Sequence, residues 1–283
     1  MVLLLPVAPT PDLDPGLTAL RPLGGFFLLH ASRPAPSRPL PTLADAYAPG
    51  DGAPGPSPRP RLATDPLGFR VRKVAAALRV PETRVAASVA QQGLAARLWS
   101  VTLGCAALHG RVPDLAPRLL HYDPDAAAPD DLWLSGVSPL PGDAGTIADT
   151  VLRAHLVPLT AAVHDRYRVA TGLLWGNAAS ALAGAGRELD RWARRNGRTD
   201  TADRARALTA ELLAHPLLAR AGTLTGTAFR RRSCCLYYRV PGSGVCGDCC
   251  FSRPPEPPRS PPPSSPSSSS PPPPPPSPDA PSG

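Results

Sequence analysis

Five cysteines lie close together in the last part of the sequence, at Cys234, Cys235, Cys246, Cys249 and Cys250. Thiolates bind zinc and the irons of iron–sulfur clusters, and either kind of site accepts four of them. In a reducing compartment such a dense group indicates a metal site rather than a set of disulfides. The first chemistry that the sequence indicates is therefore metal binding by thiolates.

The spacing of these cysteines narrows the choice of metal. Cys246 and Cys249 form a C-x-x-C clip opened by Gly247, and the adjacent pair Cys234–Cys235 lies ten residues upstream of it. Pro241–Gly242 favours a chain reversal between the two groups. A structural zinc site usually draws on two spaced clips, which an adjacent pair matches poorly. A cluster of two irons and two sulfides is longer, so the spacing favours it, with a zinc-stabilised binding module as the alternative.

The residues around the cysteines are specific as well. The pair opens the run Cys-Cys-Leu-Tyr-Tyr-Arg at positions 234–239, and the clip reads Cys-Gly-Asp-Cys at positions 246–249. This segment resembles the C-terminal motif of the ferric-siderophore reductase (FhuF-like) family. The run Leu-Trp-Gly-Asn-Ala-Ala-Ser at positions 174–180 is similar to the helical domain of that family, so the resemblance covers roughly residues 68–251.

The resemblance implies a cofactor and an activity. It implies a [2Fe-2S] cluster bound by Cys234, Cys235, Cys246 and Cys249. It also implies one-electron reduction of ferric iron held by a hydroxamate-type siderophore in the cytoplasm, with release of ferrous iron. We identify no flavin or nicotinamide site in the sequence and therefore expect a separate electron donor.

Cys250 departs from the family pattern. A residue other than cysteine, often proline, is expected after the last ligand, and Cys250 stands there instead. It is either a spare thiol or a competitor of Cys249, which the clip spacing favours. The proline-rich tail is no part of the family pattern either.

Several side chains near the cysteines are candidates for tuning or shielding a cluster. An oxidised cluster with four thiolates is a dianion, so nearby cations would raise its reduction potential. Alternatively, such cations only solvate a loop. We expect aromatic packing for at least one of Tyr237 and Tyr238. The candidate cations are Arg230, Arg231, Arg232 and Arg239.

The elements that must position these residues are mainly α-helical, with a small β element. Short β-type runs are predicted at Leu119–Asp123 and Leu132–Ser135, and Thr146 with Asp149 suggests a capping box. Cys105 recurs with Leu98 and Leu108 on the apolar face of a helix, which indicates a core residue. The helices are predicted over Arg70–Leu78, Pro81 to about His109, Thr146 to about Tyr167 with a kink at Pro158, about Ala170–Arg194, and Thr201–Ala214.

Proline content divides the chain. Most of the 41 prolines fall near its two ends, so only the middle has an ordinary content and can bury a core. Residues 1–66 are expected to be loops packed on the core or partly disordered, and residues 252–283 a disordered Pro/Ser tail. Between them we predict a helical reductase-like domain over 67–222 and the iron–sulfur-binding motif over 223–251.

Charge and hydropathy limit the partners. The net charge of +8 permits an anionic ligand or nucleic acid without selecting between them. No helix-turn-helix or Lys/Arg stripe is recognised, so no nucleic-acid partner is predicted, and an iron–sulfur redox-sensing regulator is the alternative of another class. No stretch approaches the roughly 18 apolar residues of a transmembrane helix, and Met1–Leu5 makes a poor signal peptide. A cytoplasmic location is expected.

Overall fold

The computed structural model describes residues 17–31, 39–48 and 65–255, and its fold is mainly helical, as predicted. The expectations for the proline clusters near positions 34 and 54–60 and for most of the tail lie outside the described residues. The π-helical turns Ala148–Leu156 join two of the helices. The helices are α1 Leu43–Tyr47, α2 Pro66–Leu78, α3 Thr83–His109, α4 Ala144–Ile147, α5 Val157–Tyr167, α6 Thr171–Arg195 and α7 Thr199–Leu213, and 3₁₀ turns occur at Arg21–Leu23 and Tyr237–Arg239.

Helices α3 and α6 form the centre of the core. Helix α3 is buried along most of its length because its alanines allow neighbouring helices to approach closely. The indole of Trp99 is fully buried and donates a hydrogen bond to the Ala178 carbonyl on α6 at 3.1 Å. Burial of such a side chain stabilises the fold by roughly 3 kcal/mol. Cys105 is buried on the same helix, which confirms that it is a core residue.

Four helix starts differ from the sequence prediction by two residues or more, and one of them is that of α7, which begins at Thr199 instead of Thr201. Helix α2 begins four residues early, because the Asp65 side chain accepts the Gly68 N–H at 2.9 Å. Helix α3 begins at Thr83, so Pro81 precedes it rather than occupying its first turn. The predicted Thr146 cap is wrong, because Asp143 caps α4 and accepts the Thr146 N–H at 2.9 Å. A carboxylate at the N-cap outcompetes a later hydroxyl for the free N–H groups.

The segment before α5 is wound more widely than an α-helix. In the π-helical turns the Val157 N–H donates to the Leu152 carbonyl five residues earlier. These turns end just before Pro158, whose ring lacks an N–H and disfavours regular helix on its N-terminal side. They also hold His155 in the core, where Tyr47 Oη lies 2.8 Å from its Nδ1.

The strands are short and occur in antiparallel pairs within the described residues. They are β1 Arg111–Pro113, β2 Leu120–Tyr122, β3 Leu132–Leu134, β4 Pro139–Pro141, β5 Gly222–Thr225 and β6 Ala228–Arg231. The β2–β3 pair corresponds to the two predicted β-type runs. The β5–β6 hairpin was not predicted, and it leads directly into the cysteine segment.

The described N-terminal pieces pack on the helical core. Leu20 and Phe27 are buried, and both lie where a Cβ at Gly104 of α3 would point. Arg97 forms a buried ion pair with Asp131 at 2.9 Å and also donates to the Phe26 carbonyl at 2.5 Å. This contact fixes the loop that carries the exposed Phe26 ring.

Within the described residues, no helix combines the length and the apolar character that a bilayer crossing would require.

Candidate metal centre

The β5–β6 hairpin carries the chain from the core to the cysteines. Phe229 and Arg231 of β6 are buried while Arg230 is exposed, the alternation of a strand with one face on the core. Gly222 pairs with Arg231, and a Cβ at Gly222 would overlap the Phe229 ring and the Arg230 carbonyl. The close approach at Gly222 lets Arg231 enter the interior immediately before the first thiols.

Backbone groups close the cysteine segment into a loop. The Arg231 N–H donates to the Asp248 carbonyl at 2.9 Å, so the end of the loop returns beside the end of β6. Leu236 adopts a left-handed conformation with φ of 69°, and its N–H donates to Cys234 Sγ at 3.3 Å. The loop therefore presents a thiol and a donor aimed at that thiol.

The C-x-x-C segment forms the turn that its spacing predicts. The Cys249 N–H donates to the Cys246 carbonyl at 3.1 Å, which reverses the chain over Gly247 and Asp248. The Phe251 N–H then donates to Cys249 Sγ at 3.4 Å. Two cysteine sulfurs of the loop, one in each half, thus accept backbone N–H groups.

Asp248 attaches this turn to helix α6, a role that the sequence analysis missed. Its carboxylate accepts a hydrogen bond from Ser180 Oγ at 2.7 Å and pairs with Arg187 at 3.4 Å. Asp248 is nearly buried. The sequence does show a carboxylate between two cysteines, which could have indicated this role. The partner of that carboxylate, Ser180, lies 68 residues away in the sequence and could not be recognised.

All six cysteines are free thiols, and Cys235 and Cys246 share a hydrogen bond. A hydrogen bond between Cys235 and Cys246 lowers the pKa of Cys235 and raises that of Cys246, because the shared proton stays on Cys246. Burial raises the pKa of Cys234 to about 11, and its neighbours Cys235 and Cys249 add to the shift. Such mutual repulsion disfavours several free thiolates unless a cation binds them.

Cys250 lies beside the last proposed ligand. Burial raises the pKa of Cys250, and the charge of Cys249 and a hydrogen bond with that thiol raise it further. The Cys250 carbonyl accepts a hydrogen bond from the exposed Arg230 at 3.2 Å. Cys250 is therefore close enough to Cys249 to compete with it.

A buried chain of polar groups connects the loop to helices α3 and α6. Ser88 Oγ donates to the Cys235 carbonyl at 2.8 Å. The Asn177 amide donates to the Ser88 carbonyl at 3.0 Å and accepts from Arg231 Nη2 at 2.6 Å. Arg231 Nη2 also donates to the Leu173 carbonyl at 3.3 Å. Asn177 thus links helices α3 and α6 and also holds Arg231.

Gly176 makes room for this arrangement. A Cβ at Gly176 would overlap Ser233 Oγ and would lie 3.0 Å from Arg231 Nη2. Ser233 Oγ itself donates to the Gly172 carbonyl at 3.2 Å. The Gly176–Asn177 dipeptide of the run at 174–180 therefore forms the surface on which the start of the cysteine loop rests.

The structure divides the four candidate arginines into two groups. Arg231 is only 2% exposed, whereas Arg230 and Arg232 on either side of it are exposed. Arg239 is exposed as well and pairs with Glu82 at 2.5 Å. Solvent screens the three exposed charges. Of the four candidates, only Arg231 therefore carries a charge whose field is not weakened by solvent.

Residues 231–251 match the family model of the FhuF 2Fe-2S C-terminal domain. This part of the chain is an FhuF-type segment. The match points to a [2Fe-2S] cluster as the cofactor, so the chain carries an iron–sulfur-binding segment. No curated protein matches the chain.

The FhuF-type segment, residues 231–251, fits such a cluster in its donor set. Across the part of the chain that the structure describes, no three His, Cys, Asp or Glu side chains are placed to share a single metal ion. Cys235 and Cys246 are hydrogen-bonded neighbours, and backbone N–H groups donate to the sulfurs of Cys234 and Cys249. Hydrogen bonds to ligand sulfurs are a feature by which proteins tune iron–sulfur clusters.

The two tyrosines of the FhuF-type segment pack as expected. Tyr238 meets the Phe251 ring edge to face at 6.1 Å, and the Arg239 guanidinium lies 5.7 Å from the Tyr238 ring. Tyr237 packs against the hydrophobic core and also faces a cavity. Aromatic packing is thus confirmed for both.

Two adjoining cavities border the FhuF-type segment. The near cavity, of about 500 Å³, is walled by Cys235 and Cys246 together with Tyr237. The far cavity, of about 410 Å³, extends past Ser180 and Arg187. The two cavities share three of their lining residues, Phe26, Gln92 and Ala96, and therefore form one groove.

Proposed function

We propose that the protein is a cytoplasmic ferric-siderophore reductase that transfers one electron to the chelated iron. The observation that carries this proposal is the groove, because two of the cluster-type thiols form its wall. The near cavity has a volume of about 500 Å³. One water molecule occupies about 30 Å³ of liquid, so this volume far exceeds that of the four atoms of a cluster core. Room for a bulky second molecule beside the thiols suits a reductase better than a structural metal site.

The proposed ligands are Cys234, Cys235, Cys246 and Cys249. A bound [2Fe-2S] cluster supplies one-electron chemistry by alternating between its oxidised and reduced forms. The chain's own groups hold the ligands in place: Ser88 supports Cys235, and Asp248 ties the clip to α6. In this proposal residues 223–251 carry the cofactor and residues 67–222 support it.

The reaction needs little from the protein beyond binding and electron delivery. A separate one-electron donor reduces the protein, and the chelated ferric ion takes up that electron to become ferrous. Siderophore oxygens bind the hard ferric ion tightly and the ferrous ion weakly, so reduction releases the metal. No bond of the siderophore has to break.

The lining of the groove suits an uncharged chelate. Phe26 and Ala96 supply apolar surface, and Gln92 supplies an amide at the junction of the two cavities. The charged groups on the far side are already paired, Arg187 with Asp248 and Glu188 with Arg191. Three hydroxamates neutralise a ferric ion, so a ferric trihydroxamate brings no net charge to this surface.

Metal content and turnover together test the proposal. Anaerobically purified protein is expected to contain about two irons and two acid-labile sulfides per chain, with little zinc. After photochemical reduction and mixing with a ferric trihydroxamate, the cluster absorbance should return while a ferrous-specific chelator traps about one equivalent of iron. One zinc without sulfide would exclude the cofactor, and a cluster that stays reduced would exclude the reductase.

A matched pair of variants tests the groove. Ala96→Leu places a larger side chain at the junction of the cavities, whereas Ala210→Leu makes the same change on the exposed face of α7. We expect Ala96→Leu to slow chelate reduction at least tenfold and Ala210→Leu to leave it unchanged, with both variants retaining the cluster spectrum. Equal rates in the two variants would exclude this groove as the substrate site.

A further inference from the structure

Arg231 is a buried cation without a counter-ion among the described residues. Arg231 is only 2% exposed. Within the described part of the chain, its buried Nε and Nη1 atoms have no hydrogen-bond partner. Proteins rarely leave a buried charge and its donors unpaired, because desolvation is then not compensated. The environment of Arg231 therefore favours an anionic group next to its guanidinium.

The contacts of Arg231 show that its position is built rather than accidental. Nη2 is held by the Asn177 side chain at 2.6 Å and by the Leu173 carbonyl at 3.3 Å. The guanidinium lies close to Gly176, where a Cβ would be 3.0 Å from Nη2 and would overlap Ser233 Oγ. Asn177 is itself fixed by Ser88, which also binds the Cys235 carbonyl. One rigid set of contacts thus positions both the cation and a proposed ligand.

Hydrogen bonds place Arg231 beside both parts of the cysteine loop. Its backbone N–H donates to the carbonyl of Asp248, which lies between Cys246 and Cys249, at 2.9 Å. Its guanidinium is linked through Asn177 and Ser88 to the carbonyl of Cys235. The thiols of the loop are therefore the groups that a bound cluster would bring to this buried cation.

We propose that Arg231 is the buried counter-cation of the [2Fe-2S] cluster and raises its reduction potential, whereas the neighbouring Arg230 and Arg232 do not. The inference rests on the proposed ligand set and not on the reductase activity. Reduction adds a negative charge to a cluster that is already a dianion. A fixed cation in a low-dielectric interior stabilises the reduced form more than the oxidised form, and solvent screening removes this effect for exposed cations.

Four variants test the proposal by anaerobic potentiometric titration of the visible spectrum. Arg231→Gln removes the charge, Arg231→Lys keeps it, and Arg230→Gln and Arg232→Gln remove exposed charges from the same stretch. For Arg231→Gln we expect the reduction equilibrium to become at least tenfold less favourable, a potential lower by about 59 mV. The other three variants should change it less than threefold. An unchanged Arg231→Gln, or equal shifts in all three Gln variants, would overturn the proposal.

A variant at a second residue distinguishes an effect of the Arg231 charge from simple unfolding. Asn177→Asp places a carboxylate of nearly the same shape against Arg231 and neutralises it in position. We expect the potential to fall in the same direction as in Arg231→Gln, although Arg231 is intact. Loss of the cluster in Arg231→Gln with retention in Arg231→Lys supports a requirement for charge. Loss in both, or an unchanged potential in Asn177→Asp, contradicts it.

The outcomes separate this inference from the proposed function. A cluster-bearing protein that follows the expected potentials but does not reduce a ferric trihydroxamate supports the role of Arg231 and overturns only the reductase. A protein that binds zinc without sulfide overturns both. The potential thus reports on Arg231 independently of turnover.

Discussion

Ser180 on helix α6 donates a hydrogen bond of 2.7 Å to Asp248, the residue directly before the last proposed ligand. Arg187, two turns further along α6, pairs with the other carboxylate oxygen at 3.4 Å. The clip therefore depends on a helix far from it in sequence. Its geometry is set by a carboxylate that is not itself a proposed ligand.

We expect Asp248→Ala to weaken the cluster without removing a ligand. The change leaves Ser180 unpaired and frees the clip turn, a loss of about 2 kcal/mol for a buried charged hydrogen bond. The visible absorbance should decay faster than in the wild type when an iron chelator is added anaerobically. Asp203→Ala, which breaks only exposed ion pairs, with Arg206 and Arg194, is the control and should leave the decay unchanged.

Cys249 and Cys250 should differ as ligands. Cys249→Ala is expected to lose the cluster and Cys250→Ala to retain it, because a slip of one residue changes the reach and direction of the sulfur. Since the two thiols are in contact, Cys250 is expected to give partial rescue in Cys249→Ala, seen as a less stable cluster with a shifted potential. Anaerobic spectra of the two variants decide between them. A cluster-free Cys250→Ala protein would refute the assignment of Cys249.

The Cys105 thiol should be unreactive in the folded protein. Burial raises its pKa to about 12, so almost no thiolate is present near pH 8. Alkylation of the folded protein by iodoacetamide should leave Cys105 unmodified, and denaturant should expose it. Cys105→Ala should keep the visible spectrum and lose about 1 kcal/mol of stability through the small cavity, while Cys246→Ala loses the spectrum. Loss of the visible spectrum in Cys105→Ala would show that Cys105 is a cluster ligand.

His155 should make the helical core sensitive to acid. Burial lowers its pKa from 6.5 to about 4, so between these values the unfolded chain binds a proton that the folded chain does not. Stability should therefore fall as pH drops through this window, by at most about 1.4 kcal/mol per pH unit. Anaerobic denaturant titrations at several pH values measure it.

The comparison of two histidine variants isolates this contribution. His155→Gln keeps polar groups near Tyr47 and Leu115 but cannot titrate, so its stability should depend less on pH than that of the wild type. The same substitution at His121, a half-buried histidine on β2, is the matched control. Parallel curves for His155→Gln and the wild type would show that another group is responsible.

The sequence predicted those elements whose signals are local. Helices α3 and α6 are long and periodic, and their ends lie within two residues of the predicted ones. The runs that became β2 and β3 are short but rich in residues that favour strands. In each of these cases neighbouring residues are sufficient to determine the backbone.

Features that depend on distant partners were not predictable. The β5–β6 hairpin is a short Thr- and Gly-containing run, and it is stabilised by packing of Phe229 rather than by propensity. The burial of Arg231 depends on Asn177, which lies 54 residues earlier in the chain. Four arginines near the cysteines looked alike in sequence, and only their tertiary surroundings separate one from the rest.

The polar supports of the FhuF-type segment all precede it in the chain. Ser88, Asn177 and Ser180 belong to helices that a ribosome finishes before it reaches the cysteines. Chains are made from the N-terminus, and domains fold as they emerge. We therefore expect the surface that these residues form to fold before the thiols emerge, so that cofactor insertion is a late step of maturation. A synthetic peptide of the cysteine loop alone lacks that support.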